Sequence, residues 1–164
     1  MHLLRDPLPA ADDRAAVVRL IGVGNWDRGD DAAGLLVARA LRRRLPRSLA
    51  CADECQGGPA MMDRWHGADL VIVVDAVSTG ATPGTIYRLD AGARPLSILT
   101  RCRSSHALSV GEVIELARTL RRLPPRLIVY GIEGAQYALG AAPSPAVVRA
   151  VRVVAQRIRQ ELRP

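Results

Sequence analysis

LVIVVDA, running from Leu70 to Ala76, is the stretch on which the fold turns. Five consecutive apolar residues, mostly β-branched, end abruptly in the carboxylate of Asp75. An unbroken apolar run of this length predicts a strand buried on both faces, at the centre of a parallel sheet. Working towards the N-terminus, VVRLIGVGN predicts a first strand over Val17 to Val23, ending in glycines. Asp30 and Asp31 then head a helical pattern. Ala33, Leu36, Val37, Ala40, Leu41 and Leu45 share one face, Arg39, Arg42 and Arg43 take the other, and Pro46 ends it. A weak strand over Leu49 to Glu54 and a short helix over Ala60 to Trp65 lead into the central strand.

Towards the C-terminus, the turn STGATPG precedes a fourth strand over Thr85 to Leu89. Ser109 and Glu112 have the spacing of a capping box, and Leu108 with Val113 that of a hydrophobic staple, so a helix starts there and runs to about Leu120. A fifth strand covers Arg126 to Tyr130. Ser144-Pro145 opens a last helix that turns Val147, Val148, Val151, Val154, Ala155, Ile158 and Leu162 inward. Strands alternating with helices predict a single α/β domain: a mostly parallel, twisted sheet of about five strands with helices on both faces. The polar, Pro/Ala-rich residues 1–15 form a flexible arm on this reading, and residues 16–164 form the domain.

Composition narrows the function classes. Hydrophobic residues make up 49% and charged residues 24% of 164, an ordinary globular balance. No apolar run approaches the roughly 18 residues of a membrane span. The N-terminus lacks the apolar core of a secretory signal, which points to the cytoplasm and to no membrane partner. The net charge is +7, but all 23 basic residues are Arg, a skew that reads as codon bias. These arginines are dispersed along the sequence, and aromatics are only 3% of it, so a solvated surface is favoured and no nucleic-acid partner is expected. Cys51, Cys55 and Cys102 do not form the paired spacings of a structural zinc site and read as small hydrophobes.

Sites in open α/β sheets form at the carboxyl ends of the strands. Asp75 is the most informative residue there, since an ionised carboxylate after five apolar residues is costly unless paired, hydrogen-bonded or bound to a cation. Asp30 and Asp31 have a competing explanation as helix caps, although two acids exceed what one cap needs. His106 alone reads as structural. One imidazole and two carboxylates from three loops nevertheless suit a divalent transition metal with open positions. Gly22 and Gly24 resemble the start of a dinucleotide fingerprint, but Asp27 stands at its third glycine, facing where a pyrophosphate belongs.

GVGNWDRGDDAAG (Gly22 to Gly34), QGG (Gln56 to Gly58), VDA with a downstream PGT (Val74 to Thr85), SSHALSVGEV (Ser104 to Val113) and YGIEG (Tyr130 to Gly134) occur in that order. Together they resemble the hydrogenase maturation endopeptidases over about Val17 to Leu162. The resemblance implies removal of a C-terminal peptide from the large-subunit precursor of a nickel–iron hydrogenase. It places the metal-binding positions on Asp31, Asp75 and His106. It also implies no permanent cofactor: the trio reads nickel already held by the substrate, in a site that suits Ni, Zn or Cd, and water attacks the scissile carbonyl. Whether nickel polarises that carbonyl or only positions the peptide stays open. Two departures stand out. Gln56 replaces an Asp usual before the paired glycines, which removes any acid–base role there. Trp26, Asp27 and Arg28 replace aliphatic residues, and Ala32 a frequent Gly, changes that bear on which precursor is accepted. The alternative is a non-catalytic metal-binding assembly module of the same fold, which Gln56 keeps in play.

Overall fold

The computed structural model describes residues 16–47, 50–92 and 109–163. Five strands, β1 (Val18–Val23), β2 (Cys51–Cys55), β3 (Leu70–Val77), β4 (Ile86–Asp90) and β5 (Arg126–Glu133), form one sheet in the order β2-β1-β3-β5-β4. β2, β1, β3 and β5 are parallel, and β4 lies antiparallel on the edge beside β5. The helices are α1 (Ala33–Arg42), α2 (Met61–Arg64), α3 (Val110–Thr119) and α4 (Pro145–Glu161). A 3-10 turn, Gly29–Ala32, precedes α1. The expected mostly parallel, five-stranded sheet covered on both faces is therefore observed, with LVIVVDA at its centre.

Strand alternation divides the core in two. Ile21, Val71, Val73, Leu127 and Val129 meet α2 and α3 on one face, where Met61, Trp65, Val113 and Ile114 are buried. Leu20, Ile72, Val74, Ile128 and Tyr130 meet α1 and α4 on the other, with Val37, Leu41, Val147, Val154 and Ile158. The capping box of α3 is present: Ser109 Oγ accepts from Glu112 N–H, and the Glu112 carboxylate accepts from Ser109 N–H. Leu108, the other half of the expected staple, lies outside the described residues. α4 is pinned at its far end by Glu161, which accepts from Arg88 at 2.9 and 3.0 Å and from the Tyr130 phenol.

Several local expectations shift. In α1 the buried face includes Leu35 and Ala38, while Leu36, Ala40 and Leu45 are only part-buried. The buried arc is turned towards Gly34 and Ala38, small residues that let α1 approach β1: a Cβ on Gly22 would sit 2.2 Å from Gly34 O and 2.7 Å from Ala38 Cβ. On α4, Ala150 is buried and Val148 is not. β5 continues three residues beyond Tyr130, to Glu133. The dispersed arginines partly converge: Arg44, Arg152, Arg159 and Arg163 line one groove along α4. Cys51 and Cys55 are free thiols. Among the described residues no helix is long and apolar enough to cross a membrane.

α1 lies unusually close to the sheet, for a reason visible in the sequence. A Cβ on Gly34 would sit 2.1 Å from Val74 O and 2.4 Å from Val23 O. One on Gly24, whose φ is +150°, would sit 1.8 Å from Asp31 O. Gly22 and Gly24, which suggested a dinucleotide fingerprint, instead let α1 and the turn carrying Asp31 settle onto β1, and Gly34 does the same against the ends of β1 and β3. Because the obstruction at Gly34 is backbone, Gly34→Ala is expected to cost at least the ~1–3 kcal/mol typical of an overpacked core. Thermal melts should show a midpoint roughly 3–10 °C lower; an unchanged midpoint would mean that α1 can lift away freely.

Candidate active site

β2 lies on one side of β1 and β3 on the other, so the chain changes direction across the sheet between β1 and β3. Crevices at the carboxyl ends of such neighbouring strands are where open α/β sheets bind ligands. Asp31 follows β1, and Asp75 is near the end of β3. The topology thus brings two of the three expected site residues to one crevice.

Asp30 and Asp31, indistinguishable in sequence, have different surroundings. Asp30 is fully buried, and its carboxylate accepts from the N–H groups of Ala135 (2.8 Å), Gln136 (2.9 Å) and Ser144 (2.6 Å) and from Ser144 Oγ (3.0 Å). Burial is the largest influence and pushes its pKa up, but these donors together hold it below the ordinary carboxylate value. Neither the 3-10 turn nor α1 has a side-chain cap. Asp30 therefore ties the 135–144 segment to the end of β1 instead of capping its own helix. Ser144 occupies the expected N-cap of α4, but its side chain makes no capping bond and donates to Asp30.

Asp31 is 4% and Asp75 9% exposed. Asp75 Oδ1 is buried and has no hydrogen-bond partner among the described residues. Burial pushes the Asp75 pKa well above the ordinary range, the charge of Asp31 pushes it further, and the Ala76 N–H pulls weakly the other way. An orphaned buried oxygen beside a second carboxylate is unfavourable until a proton or a cation arrives. The two carboxylates supply oxygen donors, which suit a divalent ion that brings further ligands of its own.

Sequence reasoning left two further groups without a role. Glu133, 1% exposed, accepts from Thr79 N–H (2.8 Å), Gly80 N–H (2.9 Å) and Thr79 Oγ1 (2.8 Å), and so fixes the loop that leaves β3 just beyond Asp75. Tyr137 donates to Val77 O at 2.9 Å. Its phenol is pushed up, first by burial and then by the carboxylates of Glu133, Asp30, Asp31 and Asp75. Four carboxylates therefore cluster at this edge of the sheet. The alternation of β5 continued through Gly131, Ile132 and Glu133 was the available signal for Glu133. In register, Asp75 pairs with Gly131, two residues before it.

His106, with Cys102, lies outside the described residues. Among those described, no three His, Cys, Asp or Glu side chains are arranged to hold a metal. Arg118, near the C-terminal end of α3, bonds Ala91 O, and Ala91 N–H bonds Leu127 O near the start of β5. That end of α3 therefore sits at the amino edge of the sheet. Ten helical residues span about 15 Å, so the Ser109 end is directed towards the carboxyl edge.

A family model for hydrogenase maturation proteases matches residues 36–161. The chain belongs to the hydrogenase maturation protease family. The matched region contains Asp75 and position 106, and begins five residues after Asp31. The hydrogenase expression/formation protein HupD of Thiocapsa roseopersicina is 29% identical over 118 residues, covering 71% of this chain and 53% of that protein. The hydrogenase 2 maturation protease of Escherichia coli is 28% identical over 132 residues, covering 77% and 80%. The chain thus spans about half the length of the first relative and most of the second. Among solved structures, the hydrogenase maturating endopeptidase HybD from E. coli superposes with a TM-score of 0.74 at 22% identity, covering 90% of this chain and 92% of that one. An endopeptidase solution structure from E. coli gives 0.73 at 27% identity, covering 89% and 91%. Family membership and fold agree with the resemblance read from the motifs.

Proposed function

We propose that this chain is an endopeptidase that removes the C-terminal peptide of a nickel-loaded nickel–iron hydrogenase large-subunit precursor. In this reading Asp31, Asp75 and His106 meet the nickel carried by that substrate. The carrying observation is the orphaned, buried Asp75 oxygen beside Asp31 at the β1/β3 crevice. The family supplies the substrate class. Two carboxylates and an imidazole would complete the coordination of an ion already bound elsewhere, which places the neighbouring peptide bond in the crevice. Water then adds to the scissile carbonyl, the C–N bond breaks, and the released amine takes the water proton. The free thiols Cys51 and Cys55 suit a reducing cytoplasm.

His106 enters through its sequence position, three residues before the N-cap of α3. His106→Ala is expected to lower processing by about 100-fold or more, at least the loss seen when even an outer partner of a metal ligand is removed. The circular dichroism spectrum and melting midpoint should stay close to those of the parent. Unchanged processing, followed by mass spectrometry of the precursor, would remove His106 from the site. The second reading, a binding module without cleavage, draws on Gln56, an exposed amide that cannot ionise. It predicts a stable complex with an uncut precursor.

A further inference from the structure

Next to the candidate site, the structure fixes an exposed tryptophan. Trp26 is 38% exposed, yet it is restrained from two elements. Its indole N–H donates to Glu54 Oε2 on β2 at 3.1 Å, and the guanidinium of Arg39 on α1 lies 3.9 Å from the ring centroid. Glu54 is itself held by Arg39 at 3.4 Å and by Arg42 at 3.1 Å. Freezing a surface indole in this way presents a rigid aromatic wall, the kind of surface that anchors a partner at little further entropic cost.

That wall borders a pocket of about 220 Å³, whose other sides include Gly24, Leu35, Cys55 and Gln56. This is below the ~300–1,000 Å³ of small-molecule sites and suits a single side chain. Gly24 is the residue packed against the Asp31 carbonyl, so the pocket adjoins the crevice. Cys55 is 8% exposed, and its sulfur accepts from Gly57 N–H at 3.3 Å. Glu54 is no trap for a cation, because both its oxygens are engaged, Oε1 by Arg42 and Oε2 by Trp26 and Arg39. Asp27, the other acid on the rim, is exposed to water.

We propose that the pocket between Trp26, Leu35 and Cys55 is a substrate subsite that takes one uncharged, apolar side chain of the polypeptide near the cleavage point. This rests on the reading of the chain as a peptide-cutting enzyme, and the test separates the two. The first arm is independent of cleavage. The intact protein is titrated with synthetic Gly/Ser decapeptides carrying Leu, Glu or Arg at one central position, and the two indole N–H signals are followed by NMR. The Trp26 signal, identified by its loss in Trp26→Ala, should shift with the Leu peptide, at least fivefold more tightly than with Glu or Arg. The signal of Trp65, only 2% exposed, should stay in place. No shift, or equal shifts with all three peptides, overturns the subsite. In the second arm, with nickel-loaded precursor, Trp26→Ala should raise KM about tenfold with kcat within twofold, and Trp26→Phe should restore most of the loss. An unchanged KM, or a loss confined to kcat, overturns it as well. A parent protein that cuts no precursor counts against the endopeptidase reading, and the peptide arm still decides the subsite.

Discussion

Asp75→Asn is expected to abolish processing, by about 100-fold or more, while leaving the folded protein at least as stable at neutral pH. The first half follows from the proposed role: an amide is a poor ligand for a divalent ion, and exchange of a first ligand should exceed the 10–100-fold of outer partners. The second follows from linkage. The folded-state pKa of Asp75 lies above its unfolded value. The native state therefore binds more protons than the unfolded one in the window between the two, and stability falls as pH rises through it. Neutral pH lies above the unfolded value, so the parent carries that cost there, and Asn removes it. Melts from acid to neutral pH should show the variant's advantage growing as pH rises above the ordinary carboxylate range. A variant that loses stability at pH 7 would show that Asp75 is held by favourable contacts, contrary to its orphaned oxygen.

Asp30→Ala is expected to do the opposite kind of damage. Its carboxylate takes four hydrogen bonds from the 135–144 segment, and removing it strands three backbone N–H groups. Each buried donor left unmade costs about 1–3 kcal/mol, and with partial access of water the sum is about 3–5 kcal/mol. The melting midpoint should drop by roughly 10 °C or more. Here the sign reverses: the folded pKa of Asp30 is depressed, so its contribution is present above the unfolded pKa and is lost as pH falls through the folded one. Asp31→Ala, by contrast, should lose processing while the four hydrogen bonds that Asp30 takes from the 135–144 segment stay in place. If the two variants behave alike, the division of labour between these neighbours is wrong.

That division shows where sequence reading stopped. The sheet was legible because a strand buried on both faces needs an unbroken apolar run, and LVIVVDA supplies one. Ser109 and Glu112 were legible because a capping box is local chemistry. Asp30 and Asp31 were not separable, since the donors that hold Asp30 come from a segment more than 100 residues away. Leu35 was missed because apolar residues are spread around most of α1, and small Gly34 and Ala38, rather than Leu36, pack onto the sheet. Glu133 was missed because β5 runs on past the apolar residues that marked it, and a buried acid with three donors looks in sequence like a solvated one. The Trp26, Arg39 and Glu54 cluster joins a loop, a helix and a strand that have no sequence proximity.

The most direct test of the account presents the purified protein with the same large-subunit precursor in two forms, nickel-loaded and nickel-free, and follows C-terminal cleavage by mass spectrometry. Cleavage of the loaded form alone is the predicted result, because in the proposed function the carboxylates of Asp31 and Asp75 meet a cation that the substrate carries. Equal cleavage of both forms would contradict that account.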